Sequence, residues 1–324
     1  MIAVRQHGAG GAEQLFLGPA EEPSPGPEEL LVRVMVTALN RADVLQREGK
    51  YPPPVGASSI LGLELAGIIV KKGVQVTGWE LGDRVFGLVP GGAYAEKAVI
   101  HQSMAIRMPD RMTFEECAAI PEVFLTAYQA LRWLADLQKG EKVLLHAGAS
   151  GVGTAAIQLA REMAAEVLVS ASAGKHDKCL SLGAAAAFDY RDENFWDEVG
   201  KFSGGVDVIV DPIGGGYFAQ NLKLLKPDGR LVMLAVMGGV NSEAVNVGQI
   251  VFKRLRILGT TLRSRTLTYQ IELTKSFWQF AGERFISGAL VPVIDRVFDW
   301  EEVAAAHRYL ESNRNTGKVL LKIG

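Results

Sequence analysis

Val143-Leu144-Leu145-His146-Ala147-Gly148-Ala149-Ser150-Gly151-Val152-Gly153 runs from an apolar strand through a glycine turn into a helix. That context gives a glycine-rich motif its meaning. Small residues let the backbone approach a pyrophosphate, and a helix starting near Gly151 turns unpaired N–H groups and a partial positive charge toward an anion. Against Gly-x-Gly-x-x-Gly, Gly148 and Gly153 match, while Ser150 stands in the place of the middle glycine. A tight βα turn with no ligand would use the same glycines. Gly148-x-Ser150 also begins the Gly-x-Ser-x-Gly nucleophile elbow, but Val152 breaks that pattern.

The texture around this turn extends the reading. A helix is expected over 122–137, a strand over 142–146 and a helix over 151–163. Strand-like runs at 167–170, 186–190, 206–211 and 229–236 then alternate with helical ones at 175–182, 194–202 and 217–225. Such alternation predicts a doubly wound parallel sheet of the Rossmann type, so the fold class is α/β. A last apolar strand at 256–262 has no crossover helix after it, which predicts a sheet edge and pairing with a second copy as a homodimer. Upstream, short β-like runs at 30–36, 68–70 and 93–100 are punctuated by Pro23-Ser24-Pro25-Gly26-Pro27 and Gly91-Gly92, the pattern of a β-rich domain. The expected organisation is a β-rich catalytic domain at 1–120, a cofactor domain at 121–265, and a return to the first domain at 266–324. That return should hold one or two helices and a final strand at 318–323.

Composition sets limits on function. The chain has 324 residues, 48% hydrophobic and 22% charged, enough to bury a core in each of two domains. A net charge of -2 offers no broad cationic field, so neither nucleic acid nor a membrane surface is an expected partner. Two cysteines, Cys117 and Cys179, are too few for a disulfide scaffold or a structural zinc lobe, and a reducing interior is the simpler address. With no signal-like start and no apolar run of about 20 residues, a cytoplasmic protein is expected.

Cofactor type is read about 20 positions beyond the glycine turn, where an acid would hold the ribose hydroxyls of NAD. Here the strand ends Val169-Ser170-Ala171-Ser172-Ala173-Gly174-Lys175, with no carboxylate before Asp177. Ser172 and Lys175 can donate to a phosphate, so NADPH is preferred, although a solvated first-turn lysine would read the same way.

Several motifs in order, Ala38-Leu39-Asn40-Arg41-Ala42-Asp43, Tyr51-Pro52-Pro53-Pro54, Leu61-Gly62-Leu63-Glu64-Leu65-Ala66-Gly67, Gly82-Asp83-Arg84-Val85, the glycine turn, Leu182-Gly183-Ala184 and Asn315-Thr316-Gly317-Lys318, run nearly end to end. By these the chain resembles the medium-chain dehydrogenase/reductase superfamily in its zeta-crystallin-like quinone oxidoreductase branch, most of all the stress-inducible subgroup. The resemblance implies a GroES-like N-terminal domain and a cofactor cleft with Asn40 and Tyr51 at its substrate end. It also implies that Ser150, Gly151 and Val152, beside Gly153, meet the pyrophosphate, and that Ser172, Lys175 and Tyr190 meet the adenosine phosphate. Met237 and Gly238, then Leu262, Arg263 and Ser264, then Asn315 and Lys318 would flank the cofactor.

The zinc alcohol dehydrogenases of that superfamily need Gly-His-Glu where this chain has Gly62-Leu63-Glu64, and Asn40-Arg41-Ala42-Asp43 occupies the region of their catalytic cysteine. The five histidines lack ligand spacing, so no metal is expected and Glu64 reads as a hydrogen-bonded structural carboxylate. Without a Lewis acid the acceptor must be electrophilic in itself, as a quinone or a conjugated enone is. The expected activity is zinc-independent NADPH:quinone oxidoreduction. Asn40 would donate to the developing oxyanion, and Tyr51 would either donate its hydroxyl or wall the pocket. Reduction of an enone or alkenal double bond is the alternative activity, and a non-catalytic, crystallin-like NADPH-binding protein the alternative class.

Overall fold

The apolar runs Val167-Leu168-Val169 and Val208-Ile209-Val210 have no polar alternation, as strands covered on both faces require. A computed structural model describes residues 1–242 and 245–324, and in it these runs lie centrally in a six-stranded sheet. Its order is Ala186–Asp189, Glu166–Ala171, Lys142–Leu145, Val206–Asp211, Leu225–Met233 and Arg256–Gly259, with every pair parallel. The chain builds outward from Lys142–Leu145 on one side and then returns to its other side, so the order reverses between Lys142–Leu145 and Val206–Asp211. In open α/β sheets ligands bind at the carboxyl ends of the strands beside such a reversal.

One face of the sheet buries Leu144, Leu168, Ile209 and Leu231 against Phe195, Val199, Leu222 and Leu255. Burying each such side chain contributes about 1.5–3 kcal/mol. These strands and their helices belong to one compact unit, Thr126–Leu262.

The other unit is assembled from two stretches, Met1–Leu125 and Arg263–Gly324. Its sheet runs Ile294–Asp299, Lys318–Lys322, Glu29–Ala38, Glu64–Lys72, Arg84–Leu88 and Ala105–Arg107, with Lys97–His101 pairing with the first half of Glu29–Ala38. Strand Lys318–Lys322 pairs antiparallel with the end of Glu29–Ala38, Leu320 opposite Ala38. Helix Leu267–Ile286 buries Leu273, Phe277, Ala281 and Phe285, one stripe at helical spacing, with Phe277 and Phe285 against Phe124.

Three sequence readings change. The helix expected over 122–137 is α-helical only over Pro121–Tyr128 and continues as a π-helical turn, Gln129–Leu134. Strand Leu225–Met233 starts ahead of Gly229, because the turn-like Pro227-Asp228-Gly229 is absorbed by a register shift and by Asp228 at φ 63°. Strand Ile294–Asp299 was not foreseen. Its exposed, charged Asp295 and Arg296 mask a run that forms only because Lys318–Lys322 lies parallel to it.

Candidate active site

The glycine turn is shaped by close packing. A Cβ on Gly148 would lie 2.6 Å from the Cβ of Val169, and one on Gly153 would lie 2.3 Å from the Ala147 carbonyl oxygen. Ser150, in place of the middle glycine, is the N-cap of helix Gly151–Glu162, and its hydroxyl oxygen accepts from the Gly153 N–H at 3.0 Å. The cap satisfies one first-turn donor. The N–H groups of Gly151 and Val152, which open the helix, have no intrahelical acceptor.

Below this turn lies a buried polar chain. His146 meets the Ser170 hydroxyl through Nδ1 (3.0 Å) and Asn221 Oδ1 through Nε2 (2.8 Å), and Asn221 Nδ2 donates to Asp211 Oδ2 at 2.9 Å. Asp211 Oδ1 accepts from the N–H groups of Ile213 and Gly214. Because Asn221 spends its amide hydrogens on Asp211, its oxygen faces His146, and Nε2 carries the ring proton. Burial holds the His146 pKa below its ordinary value, so the ring stays uncharged. The chain fastens the carboxyl ends of three strands and the loop after the third. Sequence reading, which found only that the histidines lack ligand spacing, missed this role.

Ser172, Lys175 and Tyr190 come together at the ends of two neighbouring strands, where Ala171 is opposite Asp189. Asp189 accepts from the Ala173 and Arg191 N–H groups, which hold its pKa below the ordinary carboxylate range. Arg191 lies over the Tyr190 ring at 5.5 Å and adds a cation to this corner that the sequence did not single out. Met237 and Gly238 are exposed in a turn strapped to the preceding loop by Met237 N–H to Pro212 O (3.2 Å) and Gly238 N–H to Ile213 O (2.7 Å). Beside it, Gly215, Phe218, Met233, Val236 and Val240 line a cavity of about 220 Å³. Leu262 is buried at the end of this unit.

In the other unit, Asn40, Glu64 and Lys318 form a closed buried cluster. Lys318 Nζ donates to Glu64 Oε1 (2.7 Å), Asn40 Oδ1 (2.7 Å) and Leu39 O (3.0 Å), which accounts for all three of its hydrogens. Asn40 Nδ2 donates to Glu64 Oε1 at 2.8 Å and more weakly to Ala38 O at 3.4 Å. Glu64 Oε2 accepts from the Glu122 N–H. Glu64 is thus the hydrogen-bonded structural carboxylate the sequence suggested. An oxyanion role for Asn40 would require it to release one of these bonds. Lys318 is bound as a counter-ion, and the Asn315 amide donates to Gly317 O. Asp43 accepts from the Asn40 and Gly62 N–H groups, and burial pushes its pKa up to about 6.

Tyr51 is half-buried under the Arg263 guanidinium, 5.6 Å from the ring centre. Burial, and next the nearby Glu122 charge, raise the phenol pKa, so its hydroxyl stays protonated and able to donate. Arg263 donates through Nε and Nη2 to Pro90 O (2.9 and 2.6 Å), and Ser264 is exposed beside it. Leu63, where a zinc ligand would be needed, is apolar and 1% exposed. Among the described residues no three His, Cys, Asp or Glu side chains converge as a metal-binding set.

Residues 26–110 match the family described as alcohol dehydrogenase GroES-like domain, and residues 182–321 match zinc-binding dehydrogenase. The chain is 34% identical to the synaptic vesicle membrane protein VAT-1 homolog of Mus musculus, over 98% of this chain and 82% of that one. It belongs to the medium-chain dehydrogenase/reductase superfamily. Another member of that superfamily, the quinone oxidoreductase of Homo sapiens, is 31% identical over 99% of this chain and 97% of its own. The crystal structure of CurK enoyl reductase superposes with a TM-score of 0.89 at 29% identity, covering 100% of this chain and 99% of that one. As a medium-chain dehydrogenase/reductase, the protein is an oxidoreductase that binds a nicotinamide cofactor, on a GroES-like domain and a Rossmann sheet. Among the described residues no helix is long and apolar enough to cross a membrane.

Proposed function

We propose that the protein reduces quinones with NADPH, without zinc. The observation that carries this reading is the chemistry around Glu64: both of its oxygens are engaged by Asn40, Lys318 and Glu122, and its neighbour Leu63 is apolar. Such a donor set does not suit a metal, so the acceptor must be electrophilic unaided. The bound nicotinamide supplies the hydride. Gly151 and Val152 hold the pyrophosphate through backbone N–H groups, and Ser172, Lys175, Tyr190 and Arg191 favour the phosphate of NADPH. Tyr51 directs its hydroxyl at the acceptor oxygen. Reduction of an enone double bond is the second reading, favoured by the likeness to CurK enoyl reductase.

We place the protein in the cytoplasm as a homodimer, with a small electrophile as its only other partner. Edge strand Arg256–Gly259 and exposed Val247, Val251 and Phe252 nearby support the dimer. The buried free thiols of Cys117 and Cys179 suit a reducing compartment.

The test is loss of reduced-nicotinamide absorbance with NADPH or NADH, offering ortho-quinones, para-quinones and enones with product identification. Quinone-dependent oxidation favouring NADPH supports the proposal. Enone reduction alone would replace it with the second reading. Tyr51→Phe should lower kcat by about tenfold, near 1.4 kcal/mol, with NADPH binding intact. Unchanged turnover would remove the hydroxyl from the reaction.

A further inference from the structure

The Glu122 carboxyl, which raises the Tyr51 pKa, has no hydrogen-bonding or chemical role assigned above. Glu122 lies in the first turn of helix Pro121–Tyr128, with its N–H fixed to Glu64 Oε2 at 2.8 Å. Its side chain lines a cavity of about 10 Å³ together with Leu63, Leu88, Val89, Pro90, Arg263 and Gln270. That volume accepts about one water-sized oxygen. Arg263, another residue of that lining, has a buried Nη1 with no hydrogen-bond partner among the described residues.

We propose that Glu122 is the internal acid that supplies the proton matching the hydride. This rests on the reductase reading and deepens it. Hydride addition to a quinone leaves a phenolate, and addition to an enone leaves an enolate. The Glu122 O–H bond then breaks, and its proton passes through a water in the cavity to that oxygen, forming the new O–H bond. Solvent returns a proton to the Glu122 carboxylate. One hydride and one proton are consumed per acceptor reduced. Tyr51, close enough to feel the Glu122 charge, holds the same oxygen by its hydroxyl.

The surroundings keep this acid protonated. Burial is the largest cause, the Glu64 and Asp43 carboxylates add to it, and Lys318 and Arg263 oppose it, leaving the pKa at about 8. The sign for stability follows. The folded chain retains a proton that the unfolded chain releases above about 4.5, so the contribution of Glu122 to stability is fully present below that pH and is lost as pH rises toward 8.

Glu122→Gln keeps the shape of the neutral acid and removes the transferable proton. It should lower kcat by about 10–100-fold while KM and the NADPH Kd change little, and should abolish the fall in rate above about pH 8. Its thermal stability should gain on the parent protein progressively from about pH 5 to pH 9. Glu122→Asp, which restores a proton, should recover part of kcat. Independently of turnover, difference infrared spectroscopy should show a protonated carboxyl that titrates near 8 and is absent from Glu122→Gln. The proposal is overturned if that variant retains the parent kcat and pH profile, or if the carboxyl titrates in the ordinary range. If the parent protein reduces enones only, the quinone reading fails and the same variants are judged on the enolate proton. Turnover of neither class would overturn both.

Discussion

The two units arrange their polar groups by opposite means. In Thr126–Leu262 the glycine turn is backbone, shaped by absent side chains at Gly148 and Gly153 and braced by the His146–Asn221–Asp211 chain. In the other unit ionisable side chains gather instead, with Asp43, Glu64, Arg263 and Lys318 buried and Glu122 half-buried. The first arrangement suits a constant ligand whose charge is met by fixed dipoles. The second keeps a carboxyl poised between two protonation states, as a reaction that takes up a proton needs.

If this contrast is right, mutations in the two units fail differently. The largest effect is expected from Lys318→Met, which leaves Glu64 buried and uncompensated and should cost about 3–5 kcal/mol in urea denaturation. Adding Glu64→Gln to it should recover much of that loss. A double variant no more stable than Lys318→Met would mean the cluster is held by packing and not by charge balance. Gly148→Ala should cost about 1–3 kcal/mol through overlap with Val169, and should weaken NADPH and NADH alike in a fluorescence titration. Selective loss of one cofactor would break the view that this turn reads only the pyrophosphate. The smallest effect belongs to Lys175→Ala, about a tenfold rise in the Kd for NADPH with NADH unchanged and thermal stability preserved.

The same contrast explains what could be read in advance. The glycine turn is local: eleven consecutive residues hold a strand end, a cap and a helix start, so the sheet, its edge strand and the nicotinamide class of its cofactor were legible from spacing. Ser172 and Tyr190 were grouped only through the family resemblance, and the structure puts them at neighbouring strand ends because parallel strands bring successive carboxyl ends to one side. The buried cluster is not local. Asn40 and Glu64 are separated by 24 residues, Glu64 and Glu122 by 58, and Glu64 and Lys318 by 254. No periodicity announces such a meeting, and Glu122 reads simply as a first-turn helix acid. Arg191 and the His146 chain escaped notice for the same reason, since their roles depend on neighbours one strand away.

Because Thr126–Leu262 is a continuous stretch set inside a unit made of two, synthesis imposes an order on the molecule. The Rossmann sheet can close as soon as its last strand, Arg256–Gly259, has emerged from the ribosome. Strand Glu29–Ala38, made far earlier, must wait for Lys318–Lys322 to cover its edge, and Glu64 waits equally long for its counter-ion. The nascent first segment therefore carries an open edge and an unmatched charge through most of translation, and is the part of the chain in most need of a chaperone.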